Sequence, residues 1–134
     1  MRRRVIIDEN LPDKIVDLLE ICFEGLDVTP LKKHHGPGTK DIDWMKDLAD
    51  WRPKPIVLTC DRRILSRELE RKALQESGLT FVVFKPTWMD IRFPEKAWRL
   101  VKLWPEIQSD LDDRNDSHTI LEVEILRGPI SHLV

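Results

Sequence analysis

The amino-acid sequence predicts one α/β domain whose sheet is mostly parallel and covered by helices on both faces. Three observations predict it. Short apolar runs recur at residues 3–8, 25–31, 55–61 and 79–84, each about the length of a strand. Stretches with apolar residues at helical spacing separate them, and Gly or Pro marks several of the junctions. Strands that alternate with helices are joined by right-handed crossovers, which sets neighbouring strands parallel and buries both faces of the sheet.

Residues 3–8 read as a buried strand that runs into Asp8, Glu9 and Asn10. From Leu11 the positions Leu11, Ile15, Leu18, Leu19 and Cys22 recur at helical spacing, and Pro12 suits a first turn, where a missing N–H costs little. "GLDVTPL" is a short second strand, and "KKHHGPGTK" is a loop. A second helix starts near Thr39, a residue type suited to N-caps, and runs to about Trp51 before "RPKP" ends it. "PIVLTCD" is a third strand, again halted by an acid. Residues 62–77 form a helix with Leu65, Leu69 and Ala73 on one face and Gly78 at its C-cap. "LTFVVF" is the fourth strand. A last helix turns Ala97, Leu100, Val101 and Trp104 toward the core and ends near Pro105. After Gln108 the polar stretch "SDLDDRNDSH" is a connector. "TILEVEIL" then alternates Leu121, Val123 and Ile125 against Glu122 and Glu124, a half-buried strand that either extends a sheet edge or meets a partner. These features divide the chain into a body, residues 1–108, and a strand-containing tail, residues 109–134.

At 134 residues the chain is long enough to bury a substantial core. A formal charge of −2 argues against indiscriminate coating of nucleic acid and leaves such contacts to local basic patches. No apolar run approaches the roughly 20 residues that cross a bilayer. Asp8 interrupts the apolar run after Arg2, Arg3 and Arg4, so no export signal is expected. Cys22 and Cys60 fit no CxxC or metal-binding spacing and read as free thiols in a reducing cytoplasm.

In open parallel sheets, ligands bind beyond the carboxyl ends of the strands. Asp8 and Asp61 stand at such ends, so both are expected to face one crevice. Like charges placed together repel, and a hard divalent cation, Mg²⁺ or Mn²⁺, reverses that balance with oxygen ligands alone. A metal so bound activates water and stabilises the leaving oxygen of a phosphodiester. Asp41 is the third candidate, early in the second helix and on the face of Met45 and Leu48, whereas Asp43 points about 200° away. Plainer roles compete: turn residue or N-cap for Asp8 and Asp61, partner of the helix dipole for Asp41. Neutralising Asp8 or Asp61 without metal is expected to raise stability by relieving repulsion.

Around these acids, Glu9 and Asn10 read either as supporting, substrate-orienting groups or as solvated turn residues. Thr59 shares a strand face with Asp61, where its hydroxyl could orient that carboxylate. Arg63, Arg67 and Arg71 recur every four residues, a stripe able to hold RNA phosphates, although the interleaved Glu68 and Glu70 equally suit a solvated, salt-bridged face. His34 and His35, in a Gly/Pro loop, read either as substrate contacts or, more simply, as exposed loop residues. Trp44, Trp51, Trp98 and Trp104 read as packing groups, and Trp88 as less constrained.

"VIIDENLP", "GTKDIDWMKDLA", "PIVLTCDRRIL" and "LTFVVF" together resemble the PIN-like domains. The nearest likeness is to the VapC-type ribonuclease toxins of toxin–antitoxin modules, in a minimal branch whose first strand ends in Asp-Glu-Asn-Leu-Pro. The likeness spans about residues 3–104. It implies a three-layer α/β/α sandwich, an acid cluster binding Mg²⁺ or Mn²⁺, and metal-dependent endoribonuclease activity. It also implies RNA as substrate and a cognate antitoxin protein as partner, with a homodimer as a further option. Asp8 corresponds to the family's first-strand acid, Asp41 to its helical acid and Asp61 to the acid of its Thr-x-Asp motif. The fourth family acid has no clear counterpart in "ELERKALQESG". Asp90 is the nearest substitute, which leaves one or two metals open.

Two other readings fit part of the pattern. A receiver-like phosphoacceptor domain also has an acidic pair after its first strand, an Asp after a later one and a Lys-Pro, here Lys85-Pro86. Only 24 residues (85 − 61) separate Asp61 from Lys85, too few for the two further βα units that a receiver needs. The second is a PIN-shaped binding module without catalysis, docking a partner through "TILEVEIL".

Overall fold

The computed structural model describes residues 3–36, 40–61, 63–113, 120–123 and 130–132. Its strands are β1 (Arg3–Ile7), β2 (Leu26–Pro30), β3 (Ile56–Thr59), β4 (Thr80–Phe84), β5 (Ile120–Val123) and β6 (Ile130–His132). Its helices are α1 (Lys14–Cys22), α2 (Asp41–Ala49), α3 (Arg63–Ser66), α4 (Glu68–Ser77) and α5 (Phe93–Asp113). The strands form one sheet in the order β2-β1-β3-β4-β5-β6, parallel except for the antiparallel β5–β6 pair. Of the two roles open to "TILEVEIL", its strand takes a place in the sheet beside β4.

β1 lies between β2 and β3, so both of its faces need covering, and Val5, Ile6 and Ile7 are all buried. Successive side chains on a strand point to opposite faces. Val5 and Ile7 accordingly pack with Ile15 and Leu19 of α1 and with Leu100, Trp104 and Ile107 of α5. Ile6 packs on the other side with Trp44, Met45 and Leu48 of α2, Ile64 of α3 and Leu74 of α4. Three layers result, as expected of an α/β/α sandwich. Among the described residues no helix is long and apolar enough to cross a membrane. One strand, β4, lies between Asp61 and Lys85, against the two that a receiver requires.

α1 begins at Lys14, so Pro12 precedes the helix instead of lying in its first turn, and two further helices and Trp88 also depart from the sequence-based expectation. The stretch 62–77 is not one helix, because the backbone extends at Arg67 (φ −75°, ψ 131°) and divides α3 from α4. The break changes the inward face. Ile64 and Leu74 are buried, Leu65 and Ala73 are half-buried, and Leu69 is 67% exposed. In α5, Pro105 lies inside the helix rather than at its end. Its missing N–H removes one helical hydrogen bond, but Ile107 and Leu111 continue the buried stripe of Leu100, Leu103 and Trp104 and offset that loss. Residues 109–113 of the expected connector are therefore helical. Finally, Trp88 is tightly held, buried with its ring centroid 4.8 Å from that of Phe84. Of the other tryptophans, Trp44 and Trp104 are buried and Trp51 is half-buried, whereas Trp98 is largely exposed. Thr39, and the side chains whose alternation marks "TILEVEIL", lie outside the described residues.

Gly78 ends α4 with φ +67°, the left-handed conformation that lets glycine close a helix. The Lys54 ammonium donates to the Ser77 carbonyl at the same end, 3.2 Å away. A Cβ at position 78 would lie 2.8 Å from that ammonium, the movable tip of a long side chain. Gly78→Ala is therefore expected to cost about 1 kcal/mol, mainly from the backbone. Urea denaturation checks this, and an unchanged midpoint would show that the turn relaxes.

Candidate active site

From β1 the chain crosses to β2 on one side, while β3 joins β1 on the other. That reversal of strand order opens a crevice beyond the carboxyl ends of β1 and β3. Asp8 leaves β1 there. Its N–H donates to the Leu58 carbonyl at 2.9 Å, extending the β1–β3 pairing by one residue. The Asp8 side chain is buried, with Oδ1 accepting from the Glu9 N–H (2.7 Å) and Oδ2 accepting from the Thr59 hydroxyl (2.8 Å).

The Thr59 oxygen in turn accepts from the Asp61 N–H at 3.0 Å. One buried hydroxyl thus links the carboxylate of Asp8 to the backbone of Asp61. This corrects the expectation that Thr59 orients the Asp61 side chain. Asn10 strengthens the same junction: its Oδ1 accepts from the Cys60 N–H at 3.1 Å, and its Nδ2 lies 3.5 Å from the Thr59 oxygen. Asn10 is more than a solvated turn residue. Glu9 is exposed, and its backbone rather than its side chain serves Asp8.

Asp41 opens α2, half-buried, with Oδ1 accepting from the Trp44 indole N–H at 3.0 Å. Trp44 reads from sequence as a packing group only; its place three residues after Asp41 is the signal for this second role. Burial raises the Asp41 pKa, and the Asp61 charge adds to the rise. Asp8 is pushed up to about 6, chiefly by burial; the bonds from Thr59 and Glu9 oppose this, and the charges of Asp41 and Asp61 reinforce it. The three acids therefore lie within one another's fields.

Asp61 behaves differently. Arg63 grips both of its oxygens, Nε at 2.8 Å from Oδ1 and Nη2 at 2.7 Å from Oδ2, and the Arg63 backbone N–H adds a third bond at 3.0 Å. That guanidinium holds the Asp61 pKa below the ordinary carboxylate value. Repulsion is relieved at Asp61 already, so neutralising it removes a favourable pair. The expected gain in stability belongs to Asp8 alone.

Arg63, Arg67 and Arg71 are all exposed, but the break at Arg67 interrupts their stripe, and Arg63 turns back to Asp61. His34 is exposed and sits edge-on to Trp51. His35 is not the plain loop residue expected. It is half-buried, its Nε2 lies 2.8 Å from Asp47 Oδ2, and it lines a small cleft with Asp8, Glu9, Lys32 and Trp44. Asp43 is exposed, as its angular position predicts, and Asp90 is exposed at the end of a 3₁₀ turn over Pro86–Met89. Both cysteines are free; burial pushes the Cys60 thiol up to about 11, which makes it a poor nucleophile or ligand at neutral pH.

Among the described residues, no group of three or more His, Cys, Asp or Glu side chains is arranged to hold a metal ion. Trp44 and Arg63 engage Asp41 and Asp61 instead. The donor chemistry nevertheless fits a hard divalent cation. The donors are all carboxylate oxygens, and burial together with two like charges burdens the ionised form of Asp8, a burden that a cation relieves.

A family model described as "PIN like domain" matches residues 3–86, which include Asp8, Asp41 and Asp61. No curated protein and no solved structure matches the chain.

Proposed function

The chain belongs to the PIN-like domain family, a nuclease-type fold, and from that premise we propose that it is a divalent-metal-dependent endoribonuclease. Within the family, the Asp-Glu-Asn-Leu-Pro run supports a VapC-type toxin, silenced in the cytoplasm by a cognate antitoxin protein and able to form a homodimer. The observation that supports the reading is that Asp8, buried at the crevice beyond β1 and β3, feels the charges of both Asp41 and Asp61.

In this reading Asp8, Asp41 and Asp61 hold Mg²⁺ or Mn²⁺. Such a cation supplies an activated water and charge stabilisation at the leaving oxygen. The chain's own residues do the positioning. Thr59 orients the Asp8 carboxylate, and Asn10 ties the ends of β1 and β3 together. Exposed Arg63 and Arg67 neutralise RNA phosphates, with Glu9 at the rim. A second reading, a binding module without catalysis, draws support from the full engagement of Asp61 by Arg63.

The test is cleavage of single-stranded RNA in Mn²⁺. The wild type should cut, a chelator should stop it, and Asp41→Asn and Asp61→Asn should each lower the rate by about 10²–10³-fold. A wild type that binds RNA but is inert with both Mn²⁺ and Mg²⁺ would establish the binding module instead.

A further inference from the structure

We infer that Arg63 is the chain's own competitor for the metal, a guanidinium that closes the Asp61 carboxylate until a divalent cation displaces it. The inference rests on the metal-dependent reading above and adds a residue that sets how readily the site loads.

The geometry is that of two parallel N–H···O bonds, which occupy both carboxylate oxygens at once. Oδ1 accepts two bonds and Oδ2 one, which leaves a single lone-pair site on Oδ2, and a cation drawn to it meets the guanidinium's positive charge at close range. The two partners differ in freedom. The Asp61 side chain is 12% exposed and its N–H is fixed to Thr59, whereas the Arg63 side chain is 64% exposed. The cationic partner therefore moves into water at low cost, and the carboxylate stays in the crevice. Water screens the exposed cationic half of the pair, which makes its replacement by a divalent ion easier than in a fully buried pair. Arg63 feels the charges of Asp41 and Glu70 as well as Asp61, so it acts as a counter-ion of the acidic site as a whole. A cation arriving among these acids takes over that role and leaves the guanidinium free beside the crevice.

Loss of any nearby positive charge would favour metal binding to some degree. Arg67 provides the comparison, because it acts on Asp61 through space. The experiment is calorimetric titration of Mn²⁺ into the wild type, Arg63→Gln, Arg63→Lys and Arg67→Gln. It is run in about 0.1 M and about 1 M salt, where the Debye length falls from ~10 Å to ~3 Å. Arg63→Gln should bind Mn²⁺ about two- to fivefold more tightly than the wild type in both salts. Arg67→Gln should gain less and lose its gain in high salt, and Arg63→Lys should fall between the wild type and Arg63→Gln. Thermal unfolding of each variant confirms that it is folded.

If Arg63→Gln binds no tighter than Arg67→Gln, or its gain disappears in high salt, the competitor role is overturned while the metal reading stands. If neither the wild type nor Arg63→Gln binds Mn²⁺, the metal reading falls and takes the inference with it.

Discussion

Asp8→Asn is expected to stabilise the metal-free protein by ~1–2 kcal/mol at pH 7 and to lower Mn²⁺-dependent cleavage by about 10²–10³-fold. The gain follows from burial. A rise from 3.8 to about 6 corresponds to ~3 kcal/mol of differential interaction between the two protonation states. Part of this is lost in the variant because an amide replaces only some of the bonds that Asp8 makes with Thr59 and the Glu9 N–H. The pH dependence has a definite sign. Below about pH 4 the carboxyl is protonated in both the folded and unfolded chain and carries no penalty. Between about pH 4 and 6 the unfolded chain ionises first, so the folded chain binds more protons and its stability falls as pH rises. Above about pH 6 the full penalty is present. Urea midpoints from pH 4 to 7 in a chelator should therefore fall more steeply for the wild type than for Asp8→Asn. Added Mn²⁺ should raise the wild-type midpoint and not that of the variant. Parallel pH curves would mean that the folded protein solvates Asp8 well, and a fully active Asp8→Asn would remove it from the chemistry.

Trp104→Ala should cost ~3–5 kcal/mol, a large part of the stability of a domain this size. Trp104 is fully buried between α5 and the sheet, its ring centroid 6.3 Å from that of Phe23, and its indole N–H donates to Gln108 Oε1 at 3.1 Å. Removing the indole leaves a cavity among Leu19, Leu100 and Ile107 that rigid neighbours fill only in part. Trp98→Ala is the control. Trp98 is 49% exposed on the same helix, with the Arg99 guanidinium over its ring and its indole N–H donating to Glu95 Oε2 at 3.0 Å. That change should cost no more than about 1 kcal/mol. Similar urea midpoints for the two variants would show that α5 does not depend on its buried stripe.

The placement of Asp8 and Asp61 beyond the ends of β1 and β3 was legible because an apolar run that stops at a carboxylate is a local pattern, and parallel sheets put such ends together. The halves of the body were legible for the same reason: strand and helix periods alternate cleanly through Phe84. Periodicity failed where a break or a continuation left no periodic mark. A register of Leu65, Leu69 and Ala73 looks helical whether or not the backbone turns out at Arg67. Pro105 reads as a stop, yet burial of Ile107 and Leu111 carries the helix past it. The neighbours of β5 could not be read at all, since pairing with β4 joins residues some forty apart in the chain. The Arg63–Asp61 pair is local, but Arg63 fits a basic stripe equally well, and only three dimensions show which partner it takes.

The matched segment stops at residue 86, whereas the sheet does not. β4 has β5 on its far side, and α5 roofs the face formed by Val5, Ile7, Leu58 and Val82. Anyone who trims the chain back to its family boundary would bare a row of unsatisfied amides and an oily sheet surface in one cut, an invitation to self-association. The segment beyond the signature is best treated as masonry rather than as an appendage.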